Sequence, residues 1–177
     1  PEEALRLLSQ SGCSPQVIRH CKKVASVATE IAKKCQRRGL NVDVGFVRIG
    51  ALLHDIGRSR TRTVNHVIIG AEIARSHGLP KPLISIIERH AGSGISIEEA
   101  RRLGWPVKSY VPETLEEKIV TYADKLVEGG RKVPLKRSIR KLSRELGETH
   151  LSIRRLKELH TEFSHLIGDH DDNRDIT

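Results

Sequence analysis

The feature that most constrains this chain is a stripe. Val17, Cys21, Val24, Ala28, Ile31 and Cys35 recur at gaps of four, three, four, three and four. Only an α-helix turns that spacing into one continuous apolar face. Ser14-Pro15 opens the helix with a hydroxyl cap and a proline at the first helical position, and Gly39 closes it. Similar spacing recurs downstream and no strand-like alternation of useful length interrupts it, so the chain is expected to be all-α. Aromatic residues make up 3% of it, which leaves Leu, Ile, Val and Ala to build the core.

Asp43 caps a second helix, 44–56, apolar nearly all round apart from Arg48 and therefore buried on most sides; Gly57 is its stop. An arginine-bearing polar stretch, 58–63, precedes helices over about 64–76 and 82–91. Ser96-Ile-Glu-Glu99 and Thr114-Leu-Glu-Glu117 have the form of capping boxes. The first opens a short helix and the second opens one reaching about Glu128, with 104–112 a loop between them. Gly129-Gly130 is a break. Two further amphipathic helices, joined near Gly147, carry Leu135, Ile139, Leu142 and Leu146, then Leu156, Leu159, Phe163 and Leu166. Residues 169–175 are polar and expected to fray.

A chain of 177 residues suits one domain. Its longest apolar run, Ile49–Leu53, falls far short of the ~20 residues a membrane span needs, and no secretory leader pattern is visible. Cys13, Cys21 and Cys35 form no C-x-x-C pair, so we expect unpaired core thiols in a reduced, cytoplasmic protein. The net charge of +9 is uneven: residues 131–160 hold ten Lys or Arg against three acids. Nucleic-acid binding through 131–160 is open but not favoured, because no aromatic residue lies between Arg131 and Glu162 to stack on a base. A helical hairpin with a solvated basic face explains the charge as well.

The telling residues are ionisable groups on apolar faces. His20 lies between Val17 and Val24, His54-Asp55 end the apolar second helix, His66 shares a face with Gly70 and Ile73, His90 follows Leu83, Ile86 and Ile87, and Asp124 lies between Val120 and Val127. One buried histidine needs only a hydrogen-bond partner. Buried carboxylates need a cation, and no Lys or Arg shares a helix face with Asp55 or Asp124, although Arg58 and Lys125 are near in sequence. A divalent metal supplies the missing charge, and four His with two Asp are suitable ligands.

His20, then His54-Asp55 inside Leu-Leu-His-Asp-Ile-Gly, then Asp124 inside Tyr-Ala-Asp-Lys, resembles the HD-domain metal-dependent phosphohydrolase superfamily over about residues 14–128. The resemblance implies an all-α HD-domain helical bundle with a metal on His20, His54, Asp55 and Asp124, followed by a basic C-terminal helical hairpin. On that reading residues 1–130 are the metal-binding catalytic domain and 131–177 a basic extension packed on it. Two-metal members add histidines that His66 and His90 match, with Asp55 bridging; a further histidine of some members has no clear match. The resemblance implies one or two divalent ions (Mn, Fe, Co, Ni, Zn or Mg) that lower the pKa of a water near a phosphate ester. Asp55, Arg58 and Lys125 are then the expected catalytic residues, the two cations as phosphate clamps, with Arg60 and Arg62 as further candidates. The expected substrate is a small phosphate ester, a nucleotide first among them. Two alternatives stay open: a di-iron oxygenase of the same ligand set, and a nucleotide- or RNA-binding module with a structural metal. His77, His150, His165 and His170 receive no role, and His160 reads as helix packing.

Overall fold

A computed structural model describes residues 1–168; the polar stretch expected to fray, and His170, lie outside the described residues. The fold is all-α, as the periodicity requires. In chain order the helices are α1 (Glu2–Gln10), α2 (Pro15–Arg37), α3 (Val44–Leu53), α4 (His66–Ser76), α5 (Lys81–Arg89), α6 (Ile97–Arg102) and α7 (Leu115–Lys125). A two-stranded antiparallel hairpin follows, β1 (Val127–Glu128) and β2 (Arg131–Lys132), and then α8 (Leu135–Leu146) and α9 (Leu151–Ile167). Single 3₁₀ turns occur at Ile56–Ser59 and Ala91–Ser93.

The long helix α2 is the spine. Its stripe is buried from Cys21 to Cys35, and it packs on α3 and α7. Ser14 accepts a hydrogen bond from the Val17 amide, the capping that the Ser-Pro start anticipates. Both capping boxes form, at Ser96/Glu99 and Thr114/Glu117. The main core is aliphatic, apart from Tyr122 and Phe163, whose rings stack 4.9 Å apart and seat α9 on α7. The Tyr122 hydroxyl also meets His160 Nδ1 at 2.6 Å, so His160 does belong to helix packing. A smaller cluster of Val67, Ala91, Ile95, Ala100, Trp105 and Tyr110 lies beside it. There Trp105 donates from Nε1 to Asn65 Oδ1 at 2.8 Å, tying the 104–112 loop to the start of α4.

Two expected helices end early, with consequences for the site. The second stops at Leu53, so that His54 and Asp55 lie in the turn that leads to the 3₁₀ segment. The seventh stops at Lys125, and Val127 and Glu128 enter the hairpin instead. Gly129 and Gly130, with φ of 57° and 75°, form its two-residue turn. Gly57 is more than a helix stop. A β-carbon there would lie 1.9 Å from the His66 carbonyl oxygen and 2.7 Å from the Gly70 nitrogen, so only glycine lets the 3₁₀ turn abut α4 this closely. All three cysteines are buried and free. Among the described residues no helix is long and apolar enough to cross a membrane.

Candidate metal centre

Helix ends converge to build the site. His20 comes from the first half of α2, His54 is the C-cap of α3, and Asp55 follows it. His66 opens α4, His90 caps the end of α5, and Asp124 stands in the last turn of α7. Arg89 holds the α5 end against α7, reaching Glu117 at 3.0 Å and Glu113 at 2.8 Å. All six residues singled out in the sequence come together here.

They form two groups about the two oxygens of Asp55. Oδ2 lies 3.8 Å from His20 Nε2 and 3.7 Å from His54 Nε2, and Asp124 Oδ1 lies 2.9 and 3.5 Å from the same two nitrogens. Oδ1 lies 3.1 Å from His66 Nε2 and 3.4 Å from His90 Nε2, which are themselves 3.1 Å apart. Donor atoms bonded to one ion at about 2.0–2.2 Å stand at comparable separations.

The imidazoles are oriented from behind. His54, His66 and His90 each donate from Nδ1 to the carbonyl three residues earlier, Ala51, Thr63 and Ile87, at 2.7–2.9 Å. These contacts turn each ring so that its Nε2 points inward. His54 Nε2 is buried and has no hydrogen-bond partner. Burial pushes His90 down to about 4, so it stays neutral, and its Nε2 faces His66 Nε2 and the Asp55 carboxylate. Nitrogens and carboxylate oxygens crowded so closely need a proton or a metal ion among them. The titration directions agree. Burial opposes ionisation of both aspartates, yet His54 beside Asp55 and Lys125 beside Asp124 hold both carboxyls well below the usual range. His54 itself, although burial opposes its charge, is lifted well above its ordinary value by Asp55. The site calls for positive charge, and these donors suit a divalent ion.

One premise needs correcting. Asp55 and Asp124 are not without basic partners: Arg58 Nε lies 3.1 Å from Asp55 Oδ1, and Lys125 Nζ lies 2.6 Å from Asp124 Oδ2. Both contacts are local: Arg58 reaches Asp55 three residues back through the 3₁₀ turn, and Lys125, the last residue of α7, reaches its neighbour Asp124. Arg58 also donates to the Arg62 carbonyl at 2.7 Å. Of the arginine loop, Arg58 and Arg62 border the cavity in front of the cluster, and Arg60 is exposed.

That cavity holds about 950 Å³, a ligand-sized space. The sequence did not reveal its far wall: α8 contributes Ser138, Lys141, Leu142 and Leu146, and the α9 start contributes His150 and Ser152. Ser138 donates from Oγ to the Lys125 carbonyl, bracing α8 beside the end of α7. His150, given no role above, accepts from the Ser152 amide and stands 3.7 Å from Glu99.

Comparison with known proteins bears on this arrangement. The HD domain family model matches residues 17–129. The chain belongs to the HD domain family. The HD domain here is 46% identical, over 94% of this chain and 98% of the other, to an uncharacterized protein of Methanocaldococcus jannaschii. It is 42% identical to a tRNA (cytidine(56)-2'-O)-methyltransferase of Picrophilus torridus over 94% of this chain, but spans only 47% of that relative. Among solved structures, the HD domain of the Listeria monocytogenes (L. monocytogenes) phosphodiesterase PgpH, in complex with cyclic-di-AMP, superposes with a TM-score of 0.55 at 19% identity, covering 95% of this chain and 98% of that one. At that identity the likeness speaks for the fold.

Proposed function

We propose that this HD domain is a metal-dependent phosphohydrolase acting on a phosphate mono- or diester of a nucleotide. The observation that carries the reading is the convergence of four imidazole Nε2 atoms and two carboxylates at the floor of a ligand-sized cavity. His20, His54, Asp55 and Asp124 would hold one divalent ion, and His66, His90 and the other Asp55 oxygen a second. When bound, such ions supply an acidified water and charge compensation for phosphoryl oxygens.

The chain's own residues do the rest. The backbone carbonyls behind His54, His66 and His90 keep each Nε2 on target. Arg58 holds Asp55 Oδ1, the oxygen that also faces His66 and His90, Lys125 holds the outer oxygen of Asp124, and both border the cavity. Their remaining N–H groups are placed to receive phosphoryl oxygens, which guanidinium and ammonium donors bind well. The cavity mouth carries exposed apolar side chains, Val64, Leu103 and Leu146. An apolar rim around a charged floor suits a phosphate attached to a base. The names of the relatives lend support: one acts on tRNA, and one solved structure holds a cyclic dinucleotide. Residues 1–130 would form the catalytic unit and 131–177 the basic extension packed on it, of which α8 and the α9 start line the cleft.

The test is a panel of nucleotides and a chromogenic phosphodiester assayed with Mn, Fe, Co, Ni, Zn and Mg in turn. His54→Ala and Asp55→Asn should each abolish turnover. Full activity in either variant would overturn the proposal, and oxygen consumption by an iron-loaded protein without phosphatase activity would favour oxygenase chemistry.

A further inference from the structure

The strongest unexplained feature is a set of cations just outside the cleft. Arg19, Lys22 and Lys23 share one side of α2, as positions three and four apart do. The tip of the β-hairpin rests there: a β-carbon at Gly130 would lie 3.8 Å from that of Arg19. On the hairpin Arg131 pairs with Glu128, and Lys132 with Val127. From α8, Arg137 and Lys141 both turn to Glu128, while Arg140 and Arg144 are exposed. Among the described residues Glu128 is thus an acid already matched by two cations, and Arg19, Lys22, Lys23, Arg131, Lys132, Arg140 and Arg144 make no ion pair.

This face opens directly onto the cleft. Glu128, Gly129, Gly130 and Lys141 belong to both. A free mononucleotide would be fully accommodated by the cavity and needs no such row beyond it. Fixed positive charges leading up to a site of phosphate chemistry fit a polymer whose repeating unit is itself a phosphodiester. Trp105 and both tyrosines are buried, so the grip would be through backbone phosphates and indifferent to base sequence.

We propose that the nucleotide substrate is part of a polynucleotide, whose backbone lies across the α2–β2–α8 face while one phosphodiester or terminal phosphate enters the cleft. The proposal takes the chemistry of the cleft from the phosphohydrolase reading and adds the polymer from the charge outside it.

The test is binding of a 12-nucleotide single-stranded RNA with cleavage-resistant phosphorothioate linkages, followed by fluorescence anisotropy with the full chain. Neutralising about three or four phosphates of a single strand predicts a slope of log affinity against log salt near −2 to −3. The triple variant Arg131→Glu, Lys132→Glu, Arg140→Glu should lose about tenfold or more in RNA affinity. Its turnover of a small chromogenic phosphodiester, which does not extend to that face, should stay at the parent level. RNA affinity unchanged in the variant, binding indifferent to salt, or equal loss of small-ester turnover would each overturn the proposal. Failure of the phosphohydrolase reading shows separately, as a parent chain that binds RNA with the expected slope yet turns over no ester.

Discussion

Alanine at position 57 tests how the two halves of the site are joined. The new β-carbon would meet the His66 carbonyl oxygen at 1.9 Å and the Gly70 nitrogen at 2.7 Å. Ordinary contact begins at 3.4 Å, so one backbone must retreat from the other by about 1.5 Å, because no side-chain rotation relieves a clash with main chain. Overpacking of this kind costs about 1–3 kcal/mol, and each kcal/mol lowers Tm by roughly 2–4 °C in a chain of this size. The retreat also strikes the site. His66 opens α4, so its Nε2, now 3.1 Å from Asp55 Oδ1, moves with the helix, and the His66–His90 group comes apart. Gly57→Ala should therefore melt roughly 2–12 °C below the parent by scanning fluorimetry and should bind less metal, with the loss confined to that group. Parent-like melting together with parent-like metal content would refute the claim that the close approach at Gly57 sets the geometry.

Three further outcomes follow from the packing and the electrostatics. Phe163→Ala removes a fully buried ring stacked on Tyr122 and should cost about 3–5 kcal/mol in urea titration; a loss below 1 kcal/mol would mean that α9 is not seated there. Glu99, although burial opposes its charge, is held below its ordinary value by the Ser96 amide and by Arg155. Its lowered folded value means that the stabilisation is present above the usual glutamate range, about 4.3, and is lost as pH falls through the folded value. Glu99→Gln should accordingly melt below the parent at pH 7 and converge with it as pH falls through the lowered folded value; a gap independent of pH would contradict the ionic account. Divalent metal at a hundred times its Kd should stabilise the fold by about 2.7 kcal/mol, a rise in Tm that EDTA reverses and that Asp55→Asn lacks.

Much of this was legible in the sequence because helices announce themselves by period and cap. The α2 stripe, the Ser14-Pro15 start and the two capping boxes all form as the residues imply. The six candidate ligands were legible for a related reason: ionisable groups do not occupy apolar faces without a partner. Part of the site stayed hidden. The Arg58–Asp55 and Lys125–Asp124 contacts are local, but which rotamers those long side chains adopt is not written in the period, and nothing in it marks the stop before His54. The β-hairpin has two residues per strand, too few for alternation to register. Gly57 looks like any helix terminator until α4 is laid against it. The α8 wall of the cleft looks in sequence like a solvated charge run, because a helix's partner cannot be found from its own residues. His150, an N-cap by structure, carries no sequence mark of facing a cavity.

The most direct measurement is anomalous diffraction from crystals grown with Mn²⁺. The account predicts two peaks flanking the Asp55 carboxylate, one among His20, His54 and Asp124 and the other between His66 and His90. A cluster without any peak, its imidazoles satisfied by protons or by protein groups alone, would contradict it.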